Sequence, residues 1–156
     1  MATAGYTTGV KEILDRTIDW VNAADIYVML IANDSTYTYD PDHTYVDMAG
    51  ANDPIDCELS ISGYEAGYSG AGRKALASKT FTVDNTNNRV KIDAADPSAW
   101  TLVSGKTVVA AIIFKKGTAD DTTSRLLFYV DFDNQATPNG TFTLSFNADG
   151  IVTVDM

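Results

Sequence analysis

His43 is the only histidine of the chain and Cys57 the only cysteine, and these two counts decide most questions about catalysis. A serine or cysteine triad must use His43, and no Gly-x-Ser-x-Gly elbow accompanies it. It stands in Asp40-Pro41-Asp42-His43, a turn sequence in which a solvated histidine is the ordinary outcome. Cys57 lies between Asp56 and Glu58, whose charges disfavour a thiolate, so packing is its expected role. One His and one Cys cannot supply the three or four ligands of a zinc site. The residues therefore point to no enzyme activity and no cofactor.

Hard oxygen ligands leave calcium to consider. Asp34, Asp40 and Asp42 are the candidates, with Asp47, Asp53, Asp56 and Glu58 following. No segment fits an EF-hand: Asp84-Asn85-Thr86-Asn87-Asn88 begins like one but lacks the later glycine and glutamate. Solvated turn carboxylates are the plainer reading. The run Gly63-Tyr64-Glu65-Ala66-Gly67-Tyr68-Ser69-Gly70-Ala71-Gly72 has no Lys-Ser/Thr pair after it, so it is a winding loop and not a phosphate cradle. No acid is marked out by an apolar setting as half of a glycosidase pair.

Charge and tyrosine coincide. The chain of 156 residues has a formal charge of −10, which argues against binding along a nucleic-acid backbone. Residues 1–72 hold twelve acids against Lys11 and Arg16, while residues 73–156 hold nine of each sign. The 56 residues between Arg16 and Arg73 contain ten acids, no lysine or arginine, and six of the eight tyrosines. Tyrosine joins apolar area to a polar tip and is enriched at interfaces. Tyr37, Tyr39, Tyr45, Tyr64 and Tyr68 are therefore interface candidates, as are Tyr6 and Val10 near the N-terminus. The alternative is that the loop tyrosines seal the ends of the domain over its core.

These residues must be held by a mainly β scaffold. Val10, Ile13, Leu14, Thr17 and Ile18 fall on one stripe of a helix of about three turns, with Thr7 or Thr8 as N-cap. That helix needs a sheet or a neighbouring subunit to lie on. Ile26 to Ala32 is a continuous apolar run, as in a strand covered on both faces, between the helix and a second sheet. Thr80 to Asp84 and Arg89 to Asp93 alternate about the turn Asn85 to Asn88, a hairpin. Val108 to Phe114, Leu126 to Phe132, Thr141 to Asn147 and Ile151 to Val154 read as further strands, and Glu58 to Ser62 as a short one. Eight or nine strands with one helix predict an antiparallel β-sandwich or barrel-like fold. Residues 1–156 form a single domain, in which 1–9 could form an N-terminal arm and 33–79 a long acidic Tyr/Gly-rich loop region. The longest apolar runs have seven residues, against about 20 for a membrane helix, and the start lacks a secretory pattern. A soluble protein made in the cytoplasm is expected.

Four segments together resemble a family of small virion structural proteins of tailed bacteriophages. They are the opening helix leading to Ile18-Asp19-Trp20 and Ile26 to Ala32; Tyr39-Asp40-Pro41-Asp42-His43; the glycine-tyrosine stretch running into Lys74-Ala75-Leu76 and the hairpin from Thr80 through Arg89-Val90; and Gly140-Thr141-Phe142-Thr143-Leu144 to Asn147-Ala148-Asp149-Gly150-Ile151. The resemblance implies a capsid decoration or cement protein on the head exterior, bound to the major capsid protein, with a homotrimer as the expected assembly. Two rivals accompany it. One is a neck, tail or fibre-associated protein; the other is a carbohydrate-binding module using Tyr37, Tyr39, Tyr64, Tyr68, Trp20 or Trp100. Neither nucleic acid nor membrane is an expected partner.

Overall fold

A computed structural model describes residues 2–34, 37–48, 50 and 52–155. Among the described residues the chain is mainly β, with antiparallel sheets, a single α-helix near the N-terminus and no closed barrel. In chain order the elements are β1 (Ala2–Gly5), α1 (Thr7–Leu14), β2 (Ile26–Ala32), β3 (Lys74–Ala75), β4 (Thr80–Asp84), β5 (Arg89–Asp93), β6 (Trp100–Leu102), β7 (Thr107–Lys115), β8 (Arg125–Ala136), β9 (Gly140–Phe142) and β10 (Val152–Asp155). They make a five-stranded sheet in the order β1-β8-β7-β2-β3, a three-stranded sheet β10-β5-β4 and a two-stranded pair β6-β9.

The five-stranded sheet is apolar on both faces, which accounts for the unbroken run in β2. Its side chains alternate: Val28 and Leu30 belong to one cluster, Met29 and Ile31 to the other. In β7 a register shift near Val109 turns Val109 and Ala110 toward the same cluster, and in β8 a second shift sends both Leu127 and Phe128 to the opposite one. Each bulge moves the alternation by one residue. One face of the sheet packs against α1, Trp20, β5 and β6 through Ile13, Ile92, Trp100 and Leu102. Among the described residues no sheet covers the other face: Tyr6, Tyr37, Val46 and Cys57 close it, so the long loop takes the place of a second layer.

Several expectations need correction. Residues 2–5 are not an arm; Ala2 to Gly5 pair with Asp131 to Phe128 at the sheet edge. The helix ends at Leu14, is preceded by Tyr6 without a side-chain cap, and leaves Ile18 buried in the following turn. Its close seat on β8 depends on Gly9, where a Cβ would come within 1.9 Å of the Leu126 carbonyl oxygen. Glu58 to Ser62 contributes only isolated bridges from Glu58 and Ile61, and the ladder of β9 stops at Phe142 although Leu144 still points into the core. The hairpin β4–β5 has the expected bounds, with Asp84 opposite Arg89.

Candidate functional site

The acidic loop region is fastened down by one buried cation. Arg73 donates to Glu58 Oε1 and Oε2 at 2.9 and 2.8 Å, and to Asp121 Oδ1 and Oδ2 at 2.7 and 2.9 Å. All three side chains are 1–2% exposed. Burial alone would favour a neutral guanidine, but the hydrogen bonds to Glu58 and Asp121 outweigh it and raise the Arg73 pKa. Tyr64 completes the array: its hydroxyl donates to Glu58 Oε1 at 2.9 Å and accepts from the Leu30 amide at 3.1 Å. Burial, then the Glu58 charge, pushes that phenol well above its ordinary pKa. Two bidentate pairs of this kind fix geometry as well as charge.

A second array lies under the other end of the loop. The Tyr6 and Tyr37 hydroxyls are 2.7 Å apart, and that of Tyr37 is 3.2 Å from His43 Nδ1. Tyr39 stacks on Tyr129 with ring centroids 5.3 Å apart and donates to the Gly5 carbonyl at 2.6 Å. Burial is the main reason both the Tyr6 and Tyr37 phenols are raised. These tyrosines therefore stay neutral and serve as hydrogen-bonded packing.

The interface candidates thus divide. Tyr6, Tyr37 and Tyr64 are buried, and as folded they offer no surface to a partner. Tyr45 accepts from Arg125 at 3.0 Å, and Tyr68 donates to the Gly117 carbonyl at 2.7 Å under the Lys116 ammonium. With Tyr39 they are half-buried anchors of the loop. Trp20 and Trp100 are also internal, donating to the Asp93 and Gly72 carbonyls at 3.2 and 2.6 Å. Most of the aromatic platform that a sugar site would need is consequently inside the protein.

The acids behave similarly. Asp34 is paired with Lys106; Asp40 Oδ1 accepts from the Asp42 amide at 2.9 Å. Among the described residues, no three His, Cys, Asp or Glu side chains are grouped to hold a metal ion. Cys57 is buried, and its thiol pKa is raised by burial first and by Asp56 and Asp53 after it.

Only Val10 of the seven candidates borders the surface that is open and apolar. Cross-strand register puts Val152, Ile92 and Phe81 in one row, and Val154, Val90 and Val83 in the next, on one face of the three-stranded sheet. The inner row reaches the core through Ile92 and Val152. The outer row does not: Val83 is 67% exposed and Val154 38%. A groove of about 630 Å³ runs between this face and Leu14, Trp20 and Val21, and a second of about 680 Å³ adjoins it past Leu14, lined by Val10, Phe128 and Val152. Lys11 and Asp15, 2.6 Å apart, stand beside the second groove, and hydrogen bonds from Lys11 and Thr17 hold the Asp15 carboxyl at about 2. The sequence signal for this surface was the shared facing of Phe81 and Val83. What it could not show is that the five-stranded sheet ends before it covers them.

Comparison with protein families, curated proteins and solved structures finds no match for this chain.

Proposed function

We propose that this protein is a virion structural protein of a tailed bacteriophage, a decoration or cement protein that docks on the major capsid protein outside the head. The observation that carries the reading is the grouping of exposed apolar side chains. Of the six large hydrophobic residues exposed among the described residues, Leu14, Val21, Phe81, Val83 and Val154 share the grooved side of α1 and the three-stranded sheet. Scattered exposed hydrophobics are normal, but a contiguous patch marks a surface that binds another protein. The resemblance of the sequence supplies the partner. The physical role is linkage: a protein that binds only assembled subunits stabilises the shell by mass action.

The buried tyrosines and the paired acids change which surface makes the contact. Docking through the lysine-free region would weaken as salt screens it, whereas docking through the groove is apolar and persists. Co-sedimentation with empty capsids from low salt to molar salt tests this. Salt-independent binding that Leu14→Asp abolishes is the expected result. Absence of binding to capsids, or the presence of only a few copies per purified virion, refutes the head assignment in favour of a neck or tail position.

A further inference from the structure

We infer that the edge of β4 is a self-complementary seam through which two copies of this chain pair antiparallel, joining their three-stranded sheets into one of six strands. β4 is the outermost strand of its sheet, bonded to β5 alone, and Thr80 to Val83 are all exposed. Such an edge is a template for another strand, and proteins normally blunt it with lysine, proline or a bulge. Thr80-Phe81-Thr82-Val83-Asp84 carries neither lysine nor proline, and its pairing with β5 runs without a register shift.

The sequence of the edge fits its own reverse. With a two-fold axis at Thr82, Thr82 faces Thr82 of the second copy, Phe81 faces Val83, and Asp84 faces Thr80. The 44% exposed Phe81 and the 67% exposed Val83 then form two apolar cross-strand pairs on the face that was left uncovered, with Cβ atoms about 5 Å apart. No like charges stand directly opposite. An isologous contact of this kind closes at two copies and does not propagate.

The size of the contact sets its strength. Five residues give a seam about 17 Å long, and with its flanking side chains it covers on the order of 400 Å² per copy, about half of a standard interface. Free in solution the pair is therefore weak. Copies held side by side on a lattice would pair far more completely, because the second contact becomes intramolecular. The inference concerns the isolated protein and does not depend on what the groove binds; failure of capsid binding would leave it standing.

Sedimentation equilibrium from about 1 to 500 µM tests it, on the wild type and on Val83→Lys, with a cysteine pair reporting register. The expected results are a monomer–dimer equilibrium in the wild type and a monomer throughout for Val83→Lys, with its melting temperature unchanged. Mild oxidation should link Thr82→Cys into a covalent dimer, since opposite residues of an antiparallel pair approach disulfide distance. Thr80→Cys, whose equivalents would lie about 14 Å apart along the strands, should not cross-link, and Cys57 is buried. A wild type that stays monomeric, a dimer or trimer indifferent to Val83→Lys, or equal cross-linking at positions 80 and 82 would each overturn the seam. If Val83→Lys does not fold, the two cysteine variants decide the question alone.

Discussion

Replacing Arg73 by Met retains much of its volume and its contact with the Phe114 ring, 5.1 Å from the guanidinium carbon, while removing the one charge that balances Glu58 and Asp121. Glu58 keeps its hydrogen bonds from the Tyr64 hydroxyl and the Gly67 amide. Asp121 loses both guanidinium hydrogen bonds in a site where its side chain is 2% exposed. Stranding a buried charge by deleting its partner costs about 3–5 kcal/mol. Total stabilities run at about 5–15 kcal/mol, so the variant should lose about a fifth or more of what holds it folded. For a chain of this size the melting temperature should fall by about 10 °C. Urea denaturation followed by tryptophan fluorescence measures it, since Trp20 and Trp100 are both buried. The loss should shrink in Glu58→Gln/Arg73→Met/Asp121→Asn, where no buried carboxylate is left without its counterion. A loss below about 1 kcal/mol, or one just as large in the triple variant, would refute the view that this triad anchors the loop region.

Two further substitutions probe independent features. Gly9→Ala should destabilise by about 1–3 kcal/mol, because its methyl group meets the Leu126 carbonyl and α1 must lift from β8; thermal melts would show it, and an unchanged melting temperature would mean that the helix is seated more loosely than described. Asp84, bonded by Asn87 and then Arg89, is lowered from 3.8 to about 2. A depressed carboxyl contributes stability that is complete above about pH 4 and lost as pH falls toward 2. Asp84→Asn should therefore be less stable than the wild type at neutral pH, and the difference should vanish only below about pH 2.

What the sequence could reveal follows from the range over which each signal acts. β2 and the β4–β5 hairpin were legible because apolar runs, period-two alternation and a four-residue turn are local. β1 was not, since Ala2-Thr3-Ala4-Gly5 has little strand character of its own and is ordered by the ladder it makes with β8. The tyrosines were found as a group, but their burial depends on distant backbone partners such as the Leu30 amide and the Gly5 and Gly117 carbonyls. Glu58 looked like a potential metal ligand because its counterion comes from 15 residues away and Asp121 from 48 beyond Arg73. The alternation of Phe81, Val83 and Val90 was visible, whereas the absence of a layer over them is a property of the whole arrangement. The apolar stripe of α1 was likewise correct in kind, but it ended a turn early, leaving Leu14 at the surface.

The order of strands in the large sheet governs how the chain can assemble. Of its four ladders, β7–β8 and β2–β3 join consecutive strands, but only β7–β8 does so across a short connection; β2 must find β7 and β3 across long intervals, and Gly5 must find Phe128. Closing such loops loses entropy before any contact repays it, which makes folding slow and orders the events. The β7–β8 hairpin is the pairing with the lowest loop-closure cost, β2 adds the surface on which the tyrosine-bearing segment rests, and β1 can pair only where β8, far along the chain, is already in place.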